Sequence, residues 1–268
     1  MAPITKIAVI IVSYNNSKQI LQCLDSLSSI KLAPNCNLKI IIVDNNSQDE
    51  CVTKLRQKYP QLQIITNFRN VGFAAGVNQG VKKALHHHAQ AVLLLNPDTV
   101  VPANLLDKLL KANADIAAPV IKFKRQDQWW YDFGGKINQY LGKTYHLEYR
   151  NIEYGIKNME LPDYLSGCCL LIRSNVFQKI GYLNEKYFLY FEDVDFCLRA
   201  RQACLTLKVV PDALITHHLV STRRKSTFQN YQLIKSNLLF INDYVIWYLR
   251  PLAYIYWLAR AVKILAKW

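Results

Sequence analysis

Apolar runs alternate with helix-compatible stretches through the first half of the chain. The runs KIAVIIVSY, LKIIIVDNN, LQIITN and AVLLLNPDT are short, rich in β-branched residues and almost free of internal polar positions. Strands that are apolar on both sides are typical of a parallel sheet covered by helices on both faces. The intervening patterns predict helices near 18–29, 48–58, 73–86 and 103–111. The sequence therefore predicts an α/β fold with a mostly parallel central sheet, wound as successive βαβ units.

The pattern changes between Ile121 and Leu161, where the sequence is rich in aromatic residues and contains several glycines. This composition predicts a hairpin or long loop region, and such inserts often shape a substrate site. Trp129 and Trp130 could stack on a ligand there, or they could anchor the loop. Regular pattern resumes with LSGCCLLIRSNVFQKIGYL and then with the strand LTLKVV.

The last part of the chain, 222–268, differs in composition from residues 1–221, which we expect to form one catalytic-size domain. This tail mixes Trp, Tyr and Leu with cations, and no apolar run approaches the roughly 18 to 20 residues that a membrane span needs. Amphipathic helices of this kind favour the membrane interface, held by apolar burial and anionic headgroups. The alternative is a soluble helical hairpin that packs on the core or on a second subunit, as in a homodimer.

Lysine and arginine outnumber aspartate and glutamate by 33 to 19, so the chain carries a net charge of +14 and an anionic partner is expected. The tail contains eight basic residues and only one acidic residue, Asp243. The basic residues are Arg223, Arg224, Lys225, Lys235, Arg250, Arg260, Lys263 and Lys267. A basic nucleic-acid-binding protein is the non-enzyme alternative. Because the charges cluster in an apolar tail and no recognition motif is present, nucleic acid is not the partner that we expect.

The seven cysteines form an odd, scattered set without a C-x-x-C pair, which argues against a disulfide framework and a structural zinc site. The early apolar run IAVIIV leads directly into SYNN, so we interpret it as a strand and not as a signal peptide. These features predict a cytoplasmic protein, peripheral on the inner face of the cell membrane.

Polar residues follow each predicted strand of the first half. Ligands bind outside the carboxyl ends of strands in open α/β sheets, so these positions are candidate ligand contacts. Asn, Asp and Ser also cap helices and make turns, and that structural alternative stays open for each of them. Neither a G-x-G-x-x-G after the first strand nor a P-loop is present, which excludes the two commonest nucleotide motifs. The residues are Ser13, Tyr14 and Asn15 after the first strand, Asp44 and Asn46 after the second, Arg69 and Asn70 after the third, and Asn96 and Asp98 after the fourth. Asn78 lies in the glycine-spaced helix that begins after Asn70.

The acidic segment FEDVDFCLRA poses a choice between a helix start and a catalytic group. If 192–203 is helical, Glu192, Asp195 and Arg199 share one face, and Asp195 can pair with Arg199 at i, i+4. Asp193 points away from that face and has no local partner, which fits an acid that faces a cleft and removes a proton from a hydroxyl nucleophile. The neighbouring carboxylates are expected to raise the pKa of Asp193.

The motifs VSYNN, VDNNSQD, NVGFAAGVNQG, LLLNPDTV, SGCCLLIRSNVFQKIGYLNEKYFLYFEDVDFCLRA and the later HH resemble, in order and spacing, family 2 inverting glycosyltransferases, and within them the rhamnosyltransferase-like branch. The resemblance covers 6–218. It implies a GT-A fold with a nucleotide-sugar donor, Mg²⁺ or Mn²⁺, and a lipid-linked or cell-surface glycan acceptor. L-Rhamnose from dTDP-rhamnose is the implied donor sugar, with a UDP-hexose as the alternative.

The resemblance also implies roles for single residues. Asp193 matches the catalytic base, Asp44 an aspartate that contacts the donor base or ribose, and Asp98 with His217 the metal site. The chain departs from the family where Asn96 stands in place of a second metal-binding aspartate, and Asp98 could instead cap the following helix. The residues implied to bind the donor are Ser13, Tyr14, Asn15, Asp44, Asn46, Arg69, Asn70, Asn78 and Asn96. The residues implied to bind the acceptor are Trp129, Trp130, Gly167 and Glu192. Arg69, or less directly Arg223 and Arg224, would stabilise the leaving diphosphate.

Overall fold

The computed structural model describes residues 5–218 and 226–266. Within them, ten strands and nine α-helices follow one another, with one 3-10 turn at Trp247–Leu249. The strands are β1 (Lys6–Ser13), β2 (Asn37–Asp44), β3 (Gln63–Thr66), β4 (Ala91–Leu95), β5 (Thr99–Val100), β6 (Ile116–Arg125), β7 (Gln128–Asn138), β8 (Lys143–Tyr149), β9 (Cys169–Arg173) and β10 (Leu207–His217). The helices are α1 (Ser17–Leu27), α2 (Cys51–Lys58), α3 (Phe73–His86), α4 (Leu105–Lys111), α5 (Ile152–Lys157), α6 (Ser174–Ile180), α7 (Glu192–Gln202), α8 (Thr227–Tyr244) and α9 (Arg250–Leu265).

One sheet contains all ten described strands. Its order is β3-β2-β1-β4-β9-β6-β10-β5, and β7 and β8 extend from β6. The pairs β1 with β2, β1 with β4, β2 with β3 and β6 with β10 are parallel. β9 runs antiparallel to both of its neighbours, β4 and β6. The α/β class expected from the sequence is confirmed, and parallel pairing is continuous from β3 to β4, where apolar runs alternate with helices.

Helices cover both faces of the sheet, which explains why its strands carry few polar positions. One apolar core lies between the sheet and α3, α6 and α7, and a second lies between the sheet and α1, α2 and α4. Successive residues of a strand point to opposite faces, so a strand buried on both sides must be apolar throughout. On β1, Ala8, Ile10 and Val12 contact the first core, and Ile7, Val9 and Ile11 contact the second.

The aromatic segment 121–161 forms an antiparallel extension of the sheet. The start of β6 pairs with β9, and its end, from Ile121 to Arg125, pairs with β7, which in turn pairs with β8. An isolated bridge between Gly135 and Tyr164 ties the chain that enters β9 back to β7. The hairpin expected in this segment is present, and it places β7 and β8 beside the polypeptide that leads into β9.

The helices α8 and α9 pack on the rest of the chain. Phe240 is 1% exposed within the first core, and the Ser236 hydroxyl donates to the Leu189 carbonyl at 2.9 Å. α9 lies on α8, where the Trp257 indole N–H donates to the Ile234 carbonyl at 2.9 Å. Of the helices described, none is long and apolar enough to cross a membrane. The expected boundary at residue 221, and Arg223 and Arg224, lie outside the described residues.

Candidate active site

β1 and β2 end side by side and bring two polar side chains to one edge of the sheet. Ser13 and Asp44 are paired in register, and they are 0% and 3% exposed. Oδ2 of Asp44 accepts the backbone N–H of Ser47 at 3.0 Å. Its other oxygen, Oδ1, is buried without a hydrogen-bond partner among the described residues. Because an unpaired buried carboxylate oxygen is costly, this atom is available to a ligand N–H or hydroxyl group.

Other residues of the implied donor set surround this edge. Tyr14 is 49% exposed and Arg69 is also exposed, so both side chains can reach a ligand. Asn15 and Asn46 adopt left-handed backbone conformations, with φ of 53° and 66°. Asn15 Oδ1 accepts the backbone N–H of Gln48 at 2.7 Å, which joins the loops that follow β1 and β2. These asparagines shape the edge as well as lining it.

Asn70 and Asn78 belong to the entry and body of α3. Asn70 Oδ1 accepts the N–H of Gly72 at 2.9 Å, at a residue whose φ of +91° favours glycine. Asn78 is buried, and its amide exchanges two hydrogen bonds with the backbone of Leu183, at 2.9 and 3.0 Å. It also donates to Glu185 at 2.9 Å. The geometry gives Asn78 a role in fixing α3 to the segment before α7, and nothing in these contacts supports it as a donor contact.

Asp98 and His217 are adjacent, although they are far apart in sequence. β5 runs antiparallel to the end of β10, with Thr99 opposite His217, and the His217 Nε2 to Asp98 Oδ1 distance is 3.0 Å. Burial by itself lowers the pKa of His217, but its interactions with Cys168 and Asp98 outweigh burial and raise the pKa well above its ordinary value. Without a cation the two side chains therefore form an ion pair, and a metal ion between them would displace the imidazole proton.

The segment that carries Asp98 adjoins the segment that contacts the candidate base, because β4 and β9 are antiparallel neighbours. Their register sets Leu95 opposite Cys169, and the Asn96 N–H donates to the Cys168 carbonyl at 2.9 Å. The preceding residue, Gly167, donates its N–H to Asp193 Oδ2 at 2.8 Å. The polypeptide after β4, which carries Asn96 and Asp98, and the polypeptide before β9, which contacts Asp193, thus meet at one point.

Asp193 is half-buried at the start of α7, and two backbone N–H groups, from Gly167 and Val194, donate to it at 2.8 Å each. The sequence left Asp193 without a local partner, and the structure shows that the backbone supplies partners. Burial is the main cause of its raised pKa, and the hydrogen bond from Gly167 and the charge of His146 oppose the shift. The expected direction is right, but burial, and not the neighbouring acids, is the main cause.

Glu192 and Asp195 differ from Asp193 in their surroundings. Glu192 is 6% exposed and its Oε2 has no partner among the described residues. Burial, then the charge of Asp193, raises the pKa of Glu192 well above its ordinary value. Asp195 pairs with Arg199 at 2.8 Å, as the i, i+4 spacing predicts, and also accepts the Tyr244 hydroxyl at 2.7 Å. The last contact links α8 to the start of α7.

Trp129 and Trp130 lie at the start of β7, and cations approach both rings. Lys122 Nζ is 4.2 Å from the centre of the Trp129 ring, while the guanidinium groups of Arg125 and Arg150 are 5.2 and 5.0 Å from that of Trp130. A sugar that stacks on Trp130 would compete with these cations. Trp129 is 42% exposed and is the more accessible of the two.

Two functional candidates are absent from the sequence-based set. Asp132 on β7 and His146 on β8 form a contact of 2.9 Å between Oδ2 and Nδ1, next to the polypeptide that carries Gly167. Asp49, in the loop after β2, accepts the Ser17 N–H at 2.7 Å with one oxygen, while the other is buried without a partner among the described residues. A metal-type cluster of three or more His, Cys, Asp or Glu side chains is absent from residues 5–218 and 226–266. No motif in the sequence marks Asp132 or His146, since their contact joins two separate strands. Asp49 closes the motif VDNNSQD, but its unpaired buried oxygen is visible only in the structure.

Comparison with known proteins shows the family to which the chain is related. The sequence profile of Glycosyl transferase family 2 matches residues 8–181. The low-salt glycan biosynthesis hexosyltransferase Agl10 of Haloferax volcanii is 27% identical over 84% of this chain and 72% of its own. The N-acetylglucosaminyl-diphospho-decaprenol L-rhamnosyltransferase of Mycobacterium tuberculosis is 27% identical over 81% and 78%. The dTDP-rhamnosyl transferase RfbF of Shigella flexneri is 24% identical over 80% and 69%.

A solved structure shares the fold. The crystal structure of GalNAc-T7 with UDP, GalNAc and Mn²⁺ superposes with a TM-score of 0.69 at 15% identity and covers 90% of this chain. The chain spans about half of that protein, 48% of its length. At this identity the likeness concerns the fold alone, and it confirms the GT-A architecture that the sequence resemblance implied.

Proposed function

Because the chain belongs to glycosyl transferase family 2, we propose that this glycosyltransferase moves L-rhamnose from dTDP-rhamnose onto a lipid-linked glycan with inversion, using Asp193 as the general base. The observation that carries the proposal is that the segments on either side of the β4 and β9 pairing carry both groups: Gly167, before β9, donates its N–H to Asp193, and the segment after β4 carries Asp98, which contacts His217. A base and a cation-binding pair on adjoining segments suit a displacement at a sugar carbon that bears a diphosphate.

The donor nucleoside fits the edge formed by β1 and β2. Asp44 Oδ1 and Asp49 Oδ1 are buried without partners among the described residues, and both can accept hydrogen bonds from a pyrimidine N–H or a sugar hydroxyl. Arg69 is exposed after β3 and can contact the diphosphate. The names of the relatives favour dTDP-rhamnose, with a UDP-hexose as the second candidate because Agl10 is named only as a hexosyltransferase.

Asp193 has the surroundings that a general base needs. An acceptor hydroxyl is a weak nucleophile until its proton is removed in the transition state. Burial raises the pKa of Asp193 and makes the carboxylate more basic, while the N–H groups of Gly167 and Val194 hold its two oxygens. Burial also raises the pKa of the neighbouring Glu192, so the two acids compete for protons in the same environment. In an inverting transfer, the acceptor oxygen attacks the anomeric carbon from the face opposite the diphosphate.

Asp98 and His217 fit two of the ligands of a divalent cation, whose remaining ligands the substrate would supply. Adjacent ligands of an octahedral site with bonds of about 2.1 Å lie about 3.0 Å apart, and the Asp98 Oδ1 to His217 Nε2 distance is 3.0 Å. Mg²⁺ is commonly held by one or two protein groups together with substrate phosphates. A bound Mg²⁺ or Mn²⁺ would stabilise the charge that develops on the departing diphosphate.

The acceptor is proposed to be presented at a membrane surface. The 3-10 turn and α9 expose apolar side chains on the side away from α8, and Lys263 lies at the margin of this face. A helix with one packed face and one exposed apolar face suits the membrane interface. The exposed apolar residues are Ile246, Trp247, Tyr248, Leu252, Tyr254, Ile255, Leu258, Val262 and Leu265. Peripheral attachment to the inner face of the cell membrane would bring Asp193 to a polyprenyl-diphosphate acceptor.

The test is the release of nucleoside diphosphate from dTDP-rhamnose, UDP-hexoses and GDP-sugars, with Mg²⁺ or Mn²⁺ and with membrane lipid extract as acceptor. We expect release that depends on lipid, from dTDP-rhamnose, and a loss of about 10²- to 10⁴-fold in Asp193→Asn, which is the usual contribution of general-base catalysis. The control Asp107→Asn removes an exposed carboxylate of α4 that pairs with Lys111. Turnover of a UDP-hexose instead would favour the second donor, and undiminished release in Asp193→Asn would refute the assignment of the base.

A further inference from the structure

Asp132 and His146 form a charge pair in the aromatic insert. Asp132 is 6% exposed, and its two oxygens are both engaged: Oδ1 accepts the Gly134 N–H at 2.8 Å and Oδ2 contacts His146 Nδ1 at 2.9 Å. The His146 side chain is 42% exposed. A buried carboxylate that is fixed in this way holds a proton on Nδ1 and orients the imidazole, whose other nitrogen remains available.

The pair is connected to the candidate base through a short series of contacts. His146 lies opposite Gly135 in the β7 and β8 pairing, and Gly135 bridges to Tyr164. The His146 and Tyr164 rings meet edge to face, with centres 5.6 Å apart. Three residues after Tyr164, the Gly167 N–H donates to Asp193 at 2.8 Å. These contacts connect the His146 ring to the segment that holds the Asp193 carboxylate, although the two residues belong to different parts of the chain.

We propose that the Asp132–His146 pair places a fixed positive charge beside Asp193, and that His146 is a positioning residue that keeps the base ionised. The inference rests on the proposed function, because it takes Asp193 to be the base. The need for such a charge follows from the burial of Asp193, since burial favours its protonated and inactive form. A nearby cation offsets part of that effect without binding the proton of the acceptor.

The electrostatic effects agree in sign with this arrangement. Although burial lowers the pKa of His146, its hydrogen bond to Asp132 and the charges of Asp132, Asp193 and Glu148 raise it to about 9, so the imidazole is charged near neutral pH. The charge of His146 in turn lowers the pKa of Asp193. The other titratable groups around Asp193 are Glu192, Asp195, Cys197, Arg199 and Arg201 on α7, and Tyr164 before β9; Asp195 is balanced by Arg199.

The test measures the pKa of the Asp193 carboxyl group directly, by carbon-detected NMR of the full-length protein labelled at aspartate, with Asp193→Asn to assign the signal. We expect His146→Gln to raise the pKa of Asp193 by up to about one unit, because it removes a positive charge that lowers this pKa. His146→Lys keeps a cation and should restore at least half of that shift. The matched control His87→Gln removes an exposed histidine at the end of α3 and should leave the pKa of Asp193 unchanged.

A second variant protects the test against a local change of structure. Asp132→Asn keeps an oxygen for the Gly134 N–H but removes the charge, so the pKa of His146 should fall from about 9 toward its ordinary value of about 6.5. An unchanged pKa of Asp193 in His146→Gln, or an unchanged pKa of His146 in Asp132→Asn, would overturn the proposal.

The pH dependence of activity then distinguishes a failure of this inference from a failure of the proposed function. In His146→Gln, the acidic limb of the kcat/KM profile should move to higher pH by the same amount as the pKa of Asp193, with less than threefold change on the plateau. A uniform loss at all pH values, without movement of the limb, would show a purely structural role and overturn the inference. Because the NMR measurement needs no turnover, a failure of every donor to react would reject the proposed function while the effect of His146 on Asp193 could still be observed.

Discussion

Gly167→Ala tests whether the position of the Asp193 carboxylate limits the reaction. A Cβ at residue 167 would lie 3.1 Å from Asp193 Cβ and 3.3 Å from Oδ2. Both distances are a few tenths of an ångström shorter than ordinary contacts, so the carboxylate must move by that amount. A misplacement of about 1 Å can cost about 10²-fold in rate, so we expect kcat to fall about 3- to 10-fold. The N–H of residue 167 is retained, and alanine also restricts the unfolded chain, so the free energy of unfolding should change by less than about 1 kcal/mol.

The assay compares steady-state kcat with the thermal midpoint of unfolding, followed by circular dichroism. Gly181→Ala is the matched control, because residue 181 has a φ of +76° and open space around it. An L side chain in that conformation costs about 1 to 2 kcal/mol, so this variant should lose several degrees of Tm and keep its kcat. Full kcat in Gly167→Ala would refute the reasoning, and a fall of kcat in proportion to a loss of Tm would show that the substitution acts on the fold instead.

Four further outcomes follow from the site and its supports. Asn96→Asp adds a carboxylate beside the Asp98–His217 pair and should lower the Mn²⁺ concentration for half-maximal activity about tenfold, measured by metal titration. Tyr244→Phe removes the 2.7 Å hydrogen bond to Asp195 and should reduce the free energy of unfolding by about 1 to 2 kcal/mol in urea. The raised pKa of His146 contributes stability that is full below about pH 6.5 and is lost as the pH rises through about 9; His146→Gln should therefore cost about 1 kcal/mol at pH 6, after allowance for exposure, and nothing at pH 10. Leu258→Glu on the exposed face of α9 should weaken flotation with phosphatidylcholine vesicles that contain phosphatidylglycerol by at least tenfold.

Each of these predictions has a control variant or a result that would contradict it. For the metal titration, Asp98→Asn should shift the curve in the opposite direction, and equal curves would remove Asn96 from the site. Tyr254→Phe loses a hydrogen bond to Asn242 at an exposed position and should cost less than Tyr244→Phe. A stability difference for His146→Gln that persists at pH 10 would mean that the residue contributes by packing and not by charge. Equal flotation of Leu258→Glu and the unaltered protein would argue that α9 covers a protein surface.

Much of the fold could be predicted because its signals are local. The helix at 73–86 has the predicted bounds, and the helices predicted near 18–29, 48–58 and 103–111 differ from the prediction by three residues or fewer at each end. β1 is apolar at nearly every position because both of its faces are buried, so the alternation of such strands with helices predicts the parallel half of the sheet. The mixed half was less predictable, since the antiparallel direction of β9 follows from how the chain returns across the sheet and leaves no mark in the periodicity of its residues.

The sequence by itself determined the α/β class, the family, and the residue types available for chemistry at the strand ends and at the start of α7. The pairing of Asp195 with Arg199 was also predictable, because it depends only on helical spacing. The tertiary structure decided which of these groups meet. The register of β4 with β9 places Gly167 and Asn96 together, and the pairing of β5 with β10 joins Asp98 to His217. The contact of Asp132 with His146 depends on two strands of the insert. Such contacts link residues that are distant in sequence, and the pKa of each group depends on burial and on those neighbours, which only the packed chain provides.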